Sequence, residues 1–126
     1  MFMGVLYAQY LTAQPVSNGF AVVELFTSQG DINSPPADKL LAEIIAEAGK
    51  NNQPVYGISF HVDFWNRFGW KDPFSKLQFT HRLNNYATVF REKETYTPRF
   101  LVNGKPLQGN VDKINLSETI RKELNT

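Results

Sequence analysis

Asp31, His61 and Asp63, with His81 further along, are the side chains whose types could hold a divalent cation or run a hydrolytic reaction. His61 and Asp63 are two residues apart, so on a strand they would face the same side. Asp31 follows the break Ser28-Gln29-Gly30, where an apolar strand gives way to a helix opening at Ser34-Pro35-Pro36. Free backbone N–H groups and the positive end of the helix dipole converge at such a junction. Little in the spacing favours a metal, because no two histidines stand at a helical interval. His and Asp in loops more often satisfy local hydrogen bonds. Ser34 as a nucleophile would need a base beside it, and no Ser/His pair is suggested by local spacing. Capping and dipole complementarity, at about 0.3–1 kcal/mol per charge, account for Asp31 and Asp38 without catalysis.

Composition removes several classes of chemistry. The 126 residues contain no cysteine, whereas thiol–disulfide exchange needs an attacking thiolate and a second sulfur to resolve it. A net charge of +1 gives no reason to expect a nucleic-acid or anionic-membrane partner. No apolar run is long enough to span a bilayer. No motif implies a cofactor, and none is expected. The length fits one domain with a real core. Residues 1–18 read as an N-terminal extension or the remnant of a signal peptide, with a short apolar run from Phe2 to Leu6 and no basic residue before it. The domain proper is then 19–126.

The elements that must position these residues follow from periodicity. Gly19 to Phe26 is nearly all apolar, as in a strand buried on both faces. Glu24 interrupts it, at a cost unless the carboxylate is hydrogen-bonded or protonated. Ala37, Leu40, Leu41, Ile44, Ile45 and Ala48 form one helical stripe, capped by Asn33 or Ser34 and closed by Gly49. Val55 to Val62 reads as a second strand, with Ile58, Phe60 and Val62 on one face. The loop from Phe64 to Pro73 is dense in aromatics, and is either a satellite core or a binding surface, core packing being the commoner use. Asp72-Pro73 would cap a second helix carrying Phe79, Leu83, Tyr86, Ala87 and Phe90, ending near Lys93. Arg99 to Val102, the turn Asn103-Gly104 and Lys105 to Gln108 form a hairpin. A last helix, capped by Asn115, carries Leu116, Ile120 and Leu124. The order is βαβαββα, an α/β domain with a four-stranded mixed sheet and helices on both faces.

Phe26-Thr27-Ser28-Gln29-Gly30, Pro35-Pro36-Ala37-Asp38, and the segment from His61-Val62-Asp63 through Trp65 to Gly69-Trp70-Lys71-Asp72-Pro73 carry a resemblance. The chain resembles the exported thioredoxin-like family known as domain of unknown function 1223 over about residues 19–110. Members of that family hold a Cys-x-x-Cys between the first two segments; Asp31 and Ser34 stand here at its two cysteine positions. The resemblance implies strand order 2-1-3-4 with the first two strands parallel. It also implies a cis Thr97–Pro98 bond facing the first helix, and a groove lined by Thr97, Pro98, His61, Asp63 and Trp65. Glu24 looks like the buried acid that relays protons beneath a Cys-x-x-Cys, although a structural carboxylate is the other reading of it. An exported location follows by the same route, in the periplasm, the cell envelope or outside the cell. Three functions are then in competition. The first is a redox-inactive module binding an extended peptide, a protein or a ligand. The second is a divergent member of a thiol–disulfide oxidoreductase family, and the third a metal-dependent site at Asp31, His61 and Asp63.

Overall fold

The computed structural model describes residues 18–126, so the extension expected over residues 1–18 lies outside the described residues except for Asn18. Strand β1 (Ala21–Thr27) leads into helix α1 (Ser34–Lys50), then strand β2 (Val55–His61). A single 3-10 turn, Asn66–Phe68, precedes helix α2 (Leu77–Val89). Strands β3 (Arg99–Val102) and β4 (Lys105–Pro106) and helix α3 (Lys113–Leu124) complete the domain. The sheet runs β2-β1-β3-β4, with β1 and β2 parallel and the other two pairs antiparallel. This is the thioredoxin-like α/β arrangement expected from the sequence.

Side-chain alternation on β1 and β3 builds two cores from one sheet. Ala21, Val23, Leu25, Phe100 and Val102 face α1 and α3, against Leu40, Leu41, Ile44, Leu116, Ile120 and Leu124. Phe26, Leu101, Val62 and Leu83 form the second cluster, on the α2 side, with Phe60, Phe64, Trp65 and Tyr86 packed around it. Burying each large side chain contributes about 1.5–3 kcal/mol, which is what holds the helices to the sheet. Only β1 and β3 are covered throughout. β2 is an edge strand, and Tyr56 and Ile58 on it are exposed.

Several boundaries differ from the sequence pattern, each for a local reason. Neither Asn33 nor Ser34 makes a side-chain cap on α1; Ser34 is inside the helix and Asn33 has helical backbone angles. Gly49 is also inside α1, and the left-handed residue after the helix is Asn52, with φ of 52°. Asp72 does not start α2, which begins five residues later behind an extended Lys76. α2 ends at Val89, where Arg91 turns out with φ of 56°. Asp112, not Asn115, caps α3, its carboxylate accepting from Asn115 N at 2.8 Å. β4 is two residues long, shorter than the expected Lys105 to Gln108, although Leu107 N still donates to Phe100 O at 3.0 Å.

Candidate functional site

The C-terminal end of β1, the N-terminus of α1 and the start of β3 meet at Asp31. Its carboxylate is buried, 1% exposed, and accepts three hydrogen bonds. Asn33 N donates to Oδ1 at 2.9 Å, Ser34 Oγ to Oδ2 at 2.9 Å, and Thr97 Oγ1 to Oδ2 at 2.6 Å. Trp65 Nε1 in turn donates to Thr97 Oγ1 at 2.8 Å. The Thr97–Pro98 peptide bond is cis. A buried carboxylate is tolerated only when its lone pairs are satisfied, and here they are. Asp31 and Ser34, the two positions at which the resemblance expects cysteines, are therefore in contact, joined by a hydrogen bond. They and Thr97 tie the helix to the β3 loop. Ser34 is fully buried with its hydroxyl committed to Asp31, so it presents no nucleophile.

The aromatic loop divides into a packed half and an exposed half. Phe64 and Trp65 pack on the α2-side core. Phe68, 66% exposed, lies against Trp65 with ring centroids 5.6 Å apart, and Trp70 is 62% exposed. Trp70 Nε1 donates to Gln29 Oε1 at 2.8 Å, which lays the indole across the turn before Asp31. Ile32, between Asp31 and Ser34, is 88% exposed. A cavity of about 480 Å³ opens beside Trp65, lined by Phe64, Arg67, Phe68 and Thr80 among others. Gly30 permits the close approach: a Cβ there would lie 3.0 Å from Trp65 Cβ.

His61 pairs with Asp72, which the sequence pattern assigned to a helix cap. His61 Nδ1 donates to Asp72 Oδ2 at 2.6 Å; the same oxygen accepts from Gln29 N at 2.9 Å, and Oδ1 accepts from Phe74 N at 2.9 Å. Burial alone would raise the Asp72 pKa. The bonds from Gln29 N, His61 and Phe74 N, with the nearby His61 charge, outweigh it and hold the carboxyl below its ordinary value. Asp72 thus ties the loop after β2 to the turn after β1.

These features place the chain. It belongs to the family described as protein of unknown function (DUF1223), matched over residues 22–126. It is similar to a protein of known crystal structure from Agrobacterium tumefaciens, at 35% sequence identity and a TM-score of 0.71, over 87% of this chain and 46% of that one. The chain spans about half the length of that relative. No curated protein matches it.

Within this DUF1223 domain the remaining candidate residues lie apart from Asp31. Glu24, buried in β1, points to α2 and is bound there: Arg82 donates from Nε to Oε2 at 2.8 Å and from Nη2 to Oε1 at 3.1 Å. Tyr86 donates its hydroxyl to Oε1 at 2.7 Å. Burial and then the bond to Glu24 push the Tyr86 phenol up, and the Glu24 bond raises the Arg82 guanidinium. No hydrogen bond joins Glu24 to Asp31 or Ser34.

His61 and Asp63 do not share a side, because β2 ends at His61. Asp63 accepts from Thr80 Oγ1 at 2.6 Å, on α2, while His61 turns to Asp72. His81 is exposed on α2. Among the described residues no three His, Asp or Glu side chains come together as a metal-holding group, so the Asp31/His61/Asp63 set is not assembled. Sequence reasoning missed Asp72 and Arg82 as partners. Their separations of 43 and 58 residues from Gln29 and Glu24 leave no local signal.

Proposed function

We propose that this domain is a redox-inactive, thioredoxin-like binding module that takes an extended polypeptide across the surface made by Ile32, Trp65, Phe68 and Trp70. The observation that carries this reading is a polar junction sealed beneath an apolar rim. Asp31 and Ser34 are buried and spent on one another, while Ile32 between them and Trp70 beside them are turned to solvent. An exposed apolar cluster with polar groups beneath it is characteristic of an interaction site. Extended chains bind by backbone pairing with alternate side chains in pockets, and the cavity beside Trp65 offers such a pocket. Descent from thiol–disulfide oxidoreductases accounts for the shared frame around Asp31 and Ser34, but exchange requires sulfur that the chain does not have. A cell-envelope location rests on the resemblance to an exported family.

The test is a titration of the ¹⁵N-labelled protein with a reduced and alkylated, permanently unfolded polypeptide. The expected result is saturable shifts at Ile32 and at the Trp65 and Trp70 indole N–H groups. A combined Ile32→Asp, Trp70→Ala variant, unchanged in stability, should weaken binding about 10-fold or more if these side chains are the energetic centre. Saturable shifts confined to another face, or none at millimolar polypeptide, would overturn the proposal.

A further inference from the structure

A second concavity, of about 780 Å³, runs across the β3–β4 edge between the end of α2 and one face of α3. Its volume is in the range that holds a small organic ligand. Phe90, Val102 and Leu107 supply apolar wall; Arg99, Lys105 and Lys122 supply positive charge. Two carboxylates also line it, and both are engaged: Glu92 by Arg99 Nη2 at 2.5 Å, and Glu123 by Lys105 at 2.6 Å. Three cations against two carboxylates leave one charge over. Lys122 makes no ion pair among the described residues.

Arg99 is the residue that needs explanation. It is 4% exposed, and its Nη1 is buried with no hydrogen-bond partner. Guanidinium N–H groups are strong donors in a fixed fork that matches an oxyanion, and a buried donor left without a partner is costly. Tyr96, half exposed, lies 5.0 Å over the guanidinium. Both residues line the concavity.

We propose that this groove binds a small organic anion, with its carboxylate or phosphate head between Arg99 and Lys122 and its apolar body against Phe90, Val102 and Leu107. The site is independent of the polypeptide surface proposed above. Arg99 directly follows the Thr97–Pro98 bond in the chain, which is the covalent link between the two regions.

The experiment uses three ligands with one apolar body: phenyl phosphate, phenylacetate and neutral benzyl alcohol, each titrated into the ¹⁵N-labelled chain at matched ionic strength. The expected result is saturable shifts of the Arg99, Lys105, Asn115 and Lys122 amides with one or both anions and not with the alcohol; which anion binds identifies the head group. Arg99→Gln should weaken binding about 10-fold or more, as loss of a charge-assisted bond would. Lys122→Gln, an exposed change that leaves the fold intact, should weaken it about 2- to 5-fold. If Arg99→Gln does not fold, the Lys122→Gln result decides. Equal shifts with benzyl alcohol, no saturation at millimolar anion, or an affinity unchanged in Lys122→Gln would each overturn the proposal.

Discussion

Replacing Asp31 by Ala is the perturbation that tests most directly whether the junction is held by its carboxylate. The change removes the acceptor for Ser34 Oγ, Thr97 Oγ1 and Asn33 N. These three donors are not equivalent. Asn33 is exposed, so its N–H can turn to water at little cost; Thr97 is half-buried; Ser34 is fully buried. Orphaned buried donors cost about 1–3 kcal/mol each, so Ser34 and Thr97 together set a loss of about 2–6 kcal/mol, with a midpoint of about 4 kcal/mol. Relief of the buried carboxylate's desolvation offsets part of this, leaving a net loss of about 3 kcal/mol. A domain of this size has about 5–15 kcal/mol to lose. Asp31→Asn keeps one acceptor oxygen and most of the shape, and should cost about 1–2 kcal/mol.

Urea unfolding followed by far-ultraviolet circular dichroism measures both, with the midpoint shifted and the slope unchanged. Each kcal/mol corresponds to about 4–8 °C in Tm, so Asp31→Ala should melt about 12–24 °C lower. A double-mutant cycle with Thr97→Val separates the cross-link from general burial, because residues sharing one network are non-additive by about 0.5–3 kcal/mol. If Asp31→Ala costs less than about 0.5 kcal/mol, the range of an ordinary surface change, the carboxylate is not what holds the junction. An additive cycle would refute the cross-link even if the single change were costly.

Three further outcomes follow from the same geometry. Asp31→Cys with Ser34→Cys should form a reversible disulfide, because the two side chains already touch at 2.9 Å. Closing so short a loop contributes only about 2 kcal/mol, so the oxidised form should be no more stable than the parent; failure of the folded variant to oxidise would count against the retained geometry. Asp72 has a folded-state pKa below its unfolded value, so its contribution is present above about pH 4 and is lost as pH falls through the folded value. Urea midpoints at pH 7 and pH 3 should therefore converge for parent and Asp72→Asn, and an unchanged gap would contradict that assignment. Gly30→Ala places a methyl 3.0 Å from Trp65 Cβ and should cost about 1–3 kcal/mol while shifting Trp65 emission; a silent substitution would show that the turn and Trp65 are not tightly packed.

What was legible in the sequence was what depends on near neighbours. The stripe Ala37, Leu40, Leu41, Ile44 and Ala48 is buried as its spacing requires. The hairpin turn at Asn103-Gly104 takes positive φ at both residues, as its residue types require, whereas the β2-β1-β3-β4 order was implied by the family resemblance and not by the pattern of elements alone. Caps were not legible, because Asp, Asn and Ser serve equally as caps, turn formers and long-range partners. Asp72 precedes proline and resembles a cap, yet its oxygens go to Gln29 N and His61. Asn115 has the residue type of a cap, yet its amide bridges the Gln108 and Asn110 carbonyls at 2.5 and 2.8 Å. Glu24 could have been a proton relay or an anchor on sequence alone, and its engagement by Arg82 and Tyr86 came from a helix 58 residues away.

The Asp31 junction and the exposed rim are joined through one side chain. Trp65 donates its indole N–H to Thr97 Oγ1, which donates its own proton to Asp31, while the same ring lies against Phe68 at the surface. A polypeptide resting on Phe68 and Trp70 would therefore press on a ring whose other edge is fixed to β3 and, through Thr97, to the start of α1. The hydrogen bonds do mechanically what a disulfide at Asp31 and Ser34 would do, since both fix the helix N-terminus at one separation from its own entry turn. They differ in what they can exchange: a disulfide accepts two electrons from a pair of thiols, which become a disulfide in turn, and a carboxylate with two hydroxyls accepts none. On the binding role proposed above, such a junction would position a bound chain without exchanging electrons with it, so polypeptide affinity is the property that the Asp31, Thr97 and Trp70 variants should change.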